Sequence, residues 1–390
     1  MTKALVLGAG SSGLAAAALL RREGFAVDVL DSESRFPVDA GFEFAVASPG
    51  IPPDHSWMRE CRASGVKIVS ELQLGWTRWS AMGGRALAVT GSKGKSSVVK
   101  LVADALGGIP CGNYGRPLCD VVNSQFPSPG SSLPWAVVEV SSFQMETTDD
   151  FRPAAAALLN LQEDHLDRHG TKEAYHALKR RLLALAERAL DCSSWTADDV
   201  PADARALFAG SYFDNEVLAV NGAAAVWLMR AAGMADAAIA AAFADFKPLP
   251  HRMQVVCERG GVRYIDDSKA TSLAALAAGT RMAGRPVRLI AGGLGKGDDE
   301  ISPIQCLQST TKKVYLIGRC ADRLYDAWHS ALPCERCGTL EAAVAAASRD
   351  ARPGEAVLLS PGAASFDQFE SFGARGDRFA ALVMKESEKK

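Results

Sequence analysis

The stretch Ala88-Val-Thr-Gly-Ser-Lys-Gly-Lys-Ser-Ser97 constrains this chain more than any other part of it. An apolar strand enters a glycine-rich turn, and Lys95, two hydroxyls and an apolar helix pattern (Val98, Val99, Leu101, Val102) follow. A strand, a tight turn and a helix N-terminus in that order make a cradle for phosphate. The turn's peptide N–H groups face anionic oxygens, a lysine reaches the outer phosphates and a serine hydroxyl can ligate Mg2+. The long form of such a loop needs a glycine five residues before Gly94, where Val89 stands instead. Gly91, Ser92, Lys93, Gly94, Lys95, Ser96 and Ser97 are therefore the candidate nucleotide-phosphate residues.

A second glycine-rich turn opens the chain. The strand Ala4–Leu7 runs into Gly8-Ala-Gly-Ser-Ser-Gly13, then a helix, a strand over Ala26–Leu30 and Asp31. Glycines at this spacing, with an acid about twenty residues on, read as a nucleotide or dinucleotide site. Taken alone this turn leaves a nicotinamide-dependent dehydrogenase open. A later strand, Phe44–Ala47, ends in the turn Ser48-Pro-Gly-Ile51.

Strands alternate with helical patterns along the rest of the chain, at Trp135–Val140, Ala155–Leu159, Arg263–Ile265, Val287–Ile290, Lys313–Ile317 and Ala356–Leu359. This alternation predicts an α/β fold with mostly parallel sheets. A length of 390 residues suits two to three domains. The first block closes near Gly83-Gly84, and Pro248-Leu-Pro250 marks a hinge before the last block.

A net charge of −2 provides no basic field for nucleic acid. No apolar run reaches the length of a membrane span, about 18 residues, and the Ala-rich tract from Ala223 to Phe246 is cut by Arg230 and Asp236. The apolar N-terminus is broken by three glycines and Arg21-Arg22-Glu23, which is a strand–turn–helix rather than a secretion signal. Nine cysteines, an odd number, suit a reducing cytoplasm, and the lone Cys334-x-x-Cys337 lacks the second pair of a zinc site.

Glu139 ends an apolar strand, where a carboxylate needs a cationic or metal partner, and Mg2+ is the natural one beside a phosphate loop. His165 follows the strand at Ala155–Leu159 among Glu163, Asp164 and Asp167 and has a metal or phosphate role open to it. Lys179, in Tyr175-His-Ala-Leu-Lys-Arg-Arg, reads on pattern alone as a solvated lysine. In the last block His251-Arg252, Asp266–Thr271, Gly292–Lys296 and Ser360–Ser365 follow strand ends and together outline an anion pocket.

Taken together, Thr90–Ser96, Gly112-Asn-Tyr-Gly115, Glu139–Glu146, Asn160–Arg168, Pro250-His-Arg252, Asp267–Thr271, Gly292–Lys296 and Leu359–Phe369 resemble the Mur ligase family, in family order over nearly the whole chain. Ser-Ser-Phe-Gln and Ser-Phe-Asp-Gln-Phe resemble its D-glutamate-adding members, with sibling ligases adding another amino acid, or a folate-linked glutamate, as the alternative. The resemblance implies three domains: a Rossmann-like UDP-sugar domain at 1–84, a central ATPase domain at 85–250 and a Rossmann-like amino-acid domain at 251–390. It implies a monomeric cytoplasmic enzyme that joins D-glutamate to UDP-N-acetylmuramoyl-L-alanine with ATP, through an acyl phosphate. It also implies Mg2+ at Ser96, Glu139 and His165, and at Lys179 once CO2 has carbamylated it. Lys95, Glu139, His165 and Lys179 become the catalytic set, and Asn221, Arg252 and Asp267 join the ATP site. Ser11, Ser12, Asp31 and Gly50 fall on the UDP-sugar, and Asn113 near the reacting centre. Lys269, Thr271, Lys296, Ser365 and Phe372 fall on D-glutamate. Lys93, Ser97, Leu218 and Leu294 depart from the family's usual Asn, Thr, Asn and Asp.

Overall fold

The computed structural model describes residues 2–37, 41–125, 132–295, 297 and 299–387. The chain forms two compact units, Met1–Phe246 and Lys247–Lys390. Unit 1 holds two sheets. β1 (Lys3–Leu7), β2 (Ala26–Leu30), β3 (Phe44–Ala47) and β4 (Lys67–Ser70) pair all-parallel in the order β2-β1-β3-β4. β5 (Ala86–Thr90), β6 (Ile109–Gly112), β7 (Ala136–Glu139), β8 (Ala155–Leu158) and β9 (Ala189–Asp191) pair all-parallel in the order β6-β7-β5-β8-β9.

Strand β5 is buried along its whole length, with helices covering both faces of its sheet, so its sequence runs apolar without alternation. In each sheet the strand order reverses beside the strand that feeds a glycine turn. In open α/β sheets that switch point is where ligands bind, beyond the C-terminal strand ends. The two sheets of unit 1 share one core: Leu19, Leu72 and Trp76 from helices of the first pack with Ala88, Val138 and Leu118 of the second. The helix Ser11–Arg22 lies close over β1 because Gly13 faces the Gly8 carbonyl, where a Cβ would collide.

Unit 2 is one six-stranded sheet. Its strands are β10 (Gln254–Arg259), β11 (Val262–Asp266), β12 (Val287–Gly292), β13 (Thr311–Ile317), β14 (Cys334–Gly338) and β15 (Ala356–Leu359), in the order β10-β11-β15-β12-β13-β14. Only the β10–β11 pair is antiparallel. Apolar layers cover both faces, one around Leu289, Leu316 and Trp328 and the other around Ile290, Tyr315 and Phe379. Cys334 and Cys337 are free thiols on β14. Among the described residues no helix is long and apolar enough to cross a membrane. The Ala-rich tract forms two helices, Ala219–Ala231 and Asp236–Asp245.

Candidate active site

The phosphate loop turns between β5 and the helix Lys95–Leu106. Gly94, the N-cap, has φ of +85°, and a Cβ there would strike the Asn221 side-chain amide. Asn221 is 95% buried or more, on the helix Ala219–Ala231, so that helix stands directly against the loop. Asn160 closes the other side: its Oδ1 accepts from Lys93 N at 2.9 Å and its Nδ2 donates to Lys93 O at 3.0 Å. The Ser92 hydroxyl lies 3.2 Å from the Tyr175 hydroxyl and donates to Gln162 O at 3.1 Å.

Two lysines meet inside this loop. Lys95 Nζ donates to Gly91 O at 2.8 Å and to Ser92 O at 3.2 Å. Lys179 Nζ donates to the same Gly91 O at 3.0 Å and lies 4.6 Å from the Tyr175 ring centroid. Lys179 is only 2% exposed. Burial, and then the nearby Lys95 charge, push its ammonium down to about 7. The solvated lysine of the sequence pattern is thus a buried one, a correction with a simple cause. Tyr175, Lys179 and Leu182 are the buried residues of the helix Lys172–Leu185, and their spacing is one helical stripe. That stripe was a sequence signal for Lys179.

Glu139 ends β7 at 2% exposure. Its Oε1 accepts from Asn113 Nδ2 at 2.7 Å, and Asn113 N donates to Glu139 O at 2.9 Å. Its Oε2 is buried with no hydrogen-bond partner among the described residues. A buried carboxylate oxygen without a donor calls for a cation. Mg2+ characteristically takes one or two carboxylates and completes its shell with phosphate oxygens and water, so Glu139, at the end of the strand that pairs with the loop's own strand β5, fits it. His165 has φ of +53°, its ring lies 4.8 Å from the Phe143 ring, and its Nε2 is 3.8 Å from Asp164 Oδ2. No three His, Cys, Asp or Glu side chains among the described residues converge as a ready-made metal cage.

The first sheet presents the other candidates of unit 1. Ser11 and Ser12 open the helix after the Gly8–Gly13 turn. Asp31 follows β2, and its carboxylate accepts from Ser34 Oγ at 2.7 Å and Glu33 N at 3.1 Å. The Ser34 hydroxyl and then the Glu33 N–H hold it below the usual carboxylate range. Gly50 sits in the exposed turn after β3. Sequence reasoning assigned nothing to Arg168, which grips that turn, or to Glu71. Glu71 is fully buried, and burial raises its carboxyl to about 7 although Oε1 accepts from Cys119 N at 2.7 Å.

Unit 2 gathers its own set at the ends of β11 and β15. Asp267 accepts from Ser360 Oγ at 2.8 Å and Met253 N at 3.2 Å, and burial pushes its carboxyl up to about 7. Arg252 is the nearby cation that opposes this rise. Lys269 Nζ stands 3.9 Å from the Phe372 ring centroid. Ser268 Oγ donates to Phe372 O at 2.8 Å. Arg375, 1% exposed, donates to Ser268 Oγ and O at 2.9 Å and to Ala363 O at 3.1 Å. One buried guanidinium thereby fixes the loops that carry Lys269, Thr271, Ser365 and Phe372. Ser365 is 2% exposed, and Leu294 pairs by two backbone hydrogen bonds with Ala364. Lys296 lies outside the described residues.

Two family models match half of the chain: the Mur ligase middle domain over residues 122–204 and the Mur ligase glutamate ligase domain over residues 251–362. An NAD(P)-binding Rossmann-like domain model matches residues 6–41, the opening turn and its flanking strands. Among curated relatives, the UDP-N-acetylmuramoylalanine--D-glutamate ligase of Acidobacterium capsulatum is 34% identical, covering 98% of this chain and 96% of its own. The protein of that name from Gloeobacter violaceus is 36% identical, over 98% of this chain and 99% of its own. Among solved structures, MurF ligase from Thermotoga maritima in complex with ADP aligns with a TM-score of 0.61 at 16% identity, over 90% of each chain. UDP-N-acetylmuramate-alanine ligase MurC from Thermotoga maritima gives 0.57 at 14% identity, over the whole of both chains.

Proposed function

This chain belongs to the Mur ligase family, and we propose that it joins D-glutamate to UDP-N-acetylmuramoyl-L-alanine in an ATP-dependent, ADP-forming reaction of cytoplasmic peptidoglycan precursor synthesis. The observation that carries the choice of amino acid is the near-complete alignment with relatives named for that reaction. The geometry of unit 1 supports the ATP half of it. The substrate's carboxylate attacks the γ-phosphorus of ATP, and ADP leaves. The D-glutamate amine then attacks the acyl phosphate carbon, the C–O bond to phosphate breaks, and the amine gives up a proton. No protein nucleophile is needed, so the chain's contribution is position and charge.

Lys95, at the head of the loop helix, neutralises the phosphates, whose oxygens meet peptide N–H groups of Gly91–Ser97. Asn221 and Asn160 hold that loop from two sides. Glu139, Ser96 and His165 would hold Mg2+, which supplies neutralising charge to the triphosphate when bound. Asn113, tied to Glu139 through side chain and backbone, faces the reacting carboxylate in this reading. Lys179 reacts as a free amine with CO2 to give a carbamate and a proton, turning a neutral amine into an anion that can serve Mg2+. Arg252 and Asp267 contact ATP, while Lys269, Thr271, Lys296, Ser365 and Phe372 contact D-glutamate, and Ser11, Ser12, Asp31 and Gly50 contact the UDP-sugar. The functional domains are residues 1–84, 85–250 and 251–390, a division supported by one sheet in each interval.

The test is phosphate release from ATP with UDP-N-acetylmuramoyl-L-alanine and, in turn, D-glutamate, L-glutamate, D-aspartate, meso-diaminopimelate or no amine. Release that depends on D-glutamate is the expected result. Release with another amine alone would reassign the amino acid within the family.

A further inference from the structure

The turn Ser48–Ile51 is held by a residue from the other sheet of unit 1. Arg168 lies in the short helix Leu166–His169, three residues after His165. Its NH2 group donates to Pro49 O at 3.1 Å and Ile51 O at 2.9 Å, and its NH1 group to Gly50 O at 3.4 Å. The Nε–NH2 edge of the guanidinium is taken by Glu146, with Nε to Oε1 at 3.1 Å and NH2 to Oε2 at 2.6 Å, so Pro49 O and Ile51 O share the remaining NH2 hydrogen. The two side chains are 12% and 8% exposed. The guanidinium stacks 4.6 Å from the Phe143 ring, and the same ring touches His165 at 4.8 Å.

Three successive carbonyls turned toward one cation set the orientation of the peptide planes in this turn. A trans peptide is planar, with its N–H opposite its C=O. With Pro49 O on Arg168, the Gly50 N–H points away from it, on the exposed side of the turn. That N–H is a donor of the kind a diphosphate or sugar oxygen uses at a switch point. Without the guanidinium the three carbonyls would repel one another and the turn would have other orientations open to it.

We propose that Arg168 is a positioning residue for the UDP-sugar substrate, fixing the Pro49–Ile51 turn in its binding orientation and tying it through Phe143 to the loop that carries His165. This rests on the reading of Gly50 as part of the UDP-sugar site. Glu146 sets the guanidinium's plane, and a lysine cannot replace Arg168, because one ammonium cannot span three carbonyls and a carboxylate in the plane of a fork.

The experiment compares wild type with Arg168→Gln, Arg168→Lys and Glu146→Gln. It measures kcat, KM for UDP-N-acetylmuramoyl-L-alanine and KM for ATP, with calorimetric binding of the UDP substrate and of a non-hydrolysable ATP analogue. Arg168→Gln raises the UDP-substrate KM at least tenfold and weakens its binding alike, with the ATP analogue within twofold of wild type. Arg168→Lys does not rescue, and Glu146→Gln gives a smaller loss in the same constant. Equal losses for both ligands would mean a merely structural role and overturn the proposal, as would UDP-substrate constants within twofold of wild type. If Arg168→Gln does not fold, the Glu146→Gln constants decide by the same criterion. A wild type that does not bind the UDP substrate sinks the ligase reading itself; a wild type that binds while the variants are unchanged sinks only this inference.

Discussion

Lys179 makes a prediction whose size follows from its surroundings. Carbon dioxide adds only to the neutral amine. An ordinary lysine ammonium, at 10.5, leaves about 0.3% of the amine free at pH 8. Burial and the Lys95 charge bring Lys179 to about 7. At pH 8 about nine-tenths of it is then free, roughly a 300-fold gain in the reactive form. The sign is fixed by the direction of the shift: acid protonates the amine, so the free fraction falls to about one-tenth at pH 6. The carbamate also places an anion beside the Lys95 ammonium that shares Gly91 O, which favours the product.

The assay is carbon-13 NMR with labelled bicarbonate, alongside turnover in CO2-depleted buffer. A carbamate resonance that Lys179→Met abolishes is expected, strong at pH 8 and several-fold weaker at pH 6. Turnover in depleted buffer falls and bicarbonate restores it, and Lys179→Ala loses at least about 100-fold in kcat/KM, the scale of one preorganised electrostatic group. A missing Lys179-dependent signal, together with turnover indifferent to CO2, would refute the reasoning.

Glu139→Gln keeps an acceptor for Asn113 but removes the charge on the buried Oε2; kcat falls at least about 100-fold and the apparent Mg2+ requirement rises, read by metal titration. Gly94→Ala places a Cβ against the Asn221 amide at a φ of +85°; the left-handed conformation costs about 1–2 kcal/mol before any collision, and calorimetry should show at least tenfold weaker ATP binding. Glu71→Gln keeps the bond from Cys119 N and loses the titration. The folded carboxyl, at about 7, holds its proton more tightly than the unfolded one, so wild type loses stability as pH rises from 4.5 to about 7 and no further above it. Denaturant unfolding at pH 5 and pH 8 should show the gap move in favour of the variant, by at most about 3 kcal/mol; a constant gap would rule out Glu71 as the cause.

Which elements were legible in the sequence follows from their place in the sheets. Every interior strand announced itself as an apolar run, because a strand covered on both faces has no polar side to show. The strands the pattern missed are β4, β6, β9, β10 and β14, and each lies at the edge of its sheet. An edge strand can carry Lys67, Pro110, Asp191 or Glu335 and still pair on one side. The phosphate loop was readable because its glycines and lysine are neighbours in sequence. Arg168 and Arg375 were not, because what they do is defined by backbone carbonyls more than ten residues away in the chain, or near it only through the fold.

The ion pairs of unit 2 contrast with the charges around the phosphate loop. Arg288 meets Glu355 at 2.8 Å, and Lys313 meets Asp350 at 2.8 Å. Around the loop two lysines crowd one carbonyl, and the buried Oε2 of Glu139 has no hydrogen-bond partner among the described residues. His165, a residue with a Cβ, adds left-handed backbone in the same neighbourhood. Each of these arrangements costs stability on its own. Together they favour ligands of opposite character: polyanionic phosphate for the lysines, a cation for Glu139 and CO2 for the neutral amine of Lys179. A scaffold selected for stability alone would have joined Lys179 to Glu139 as it joined Arg288 to Glu355. The chemistry proposed for this loop gives each of them a different partner.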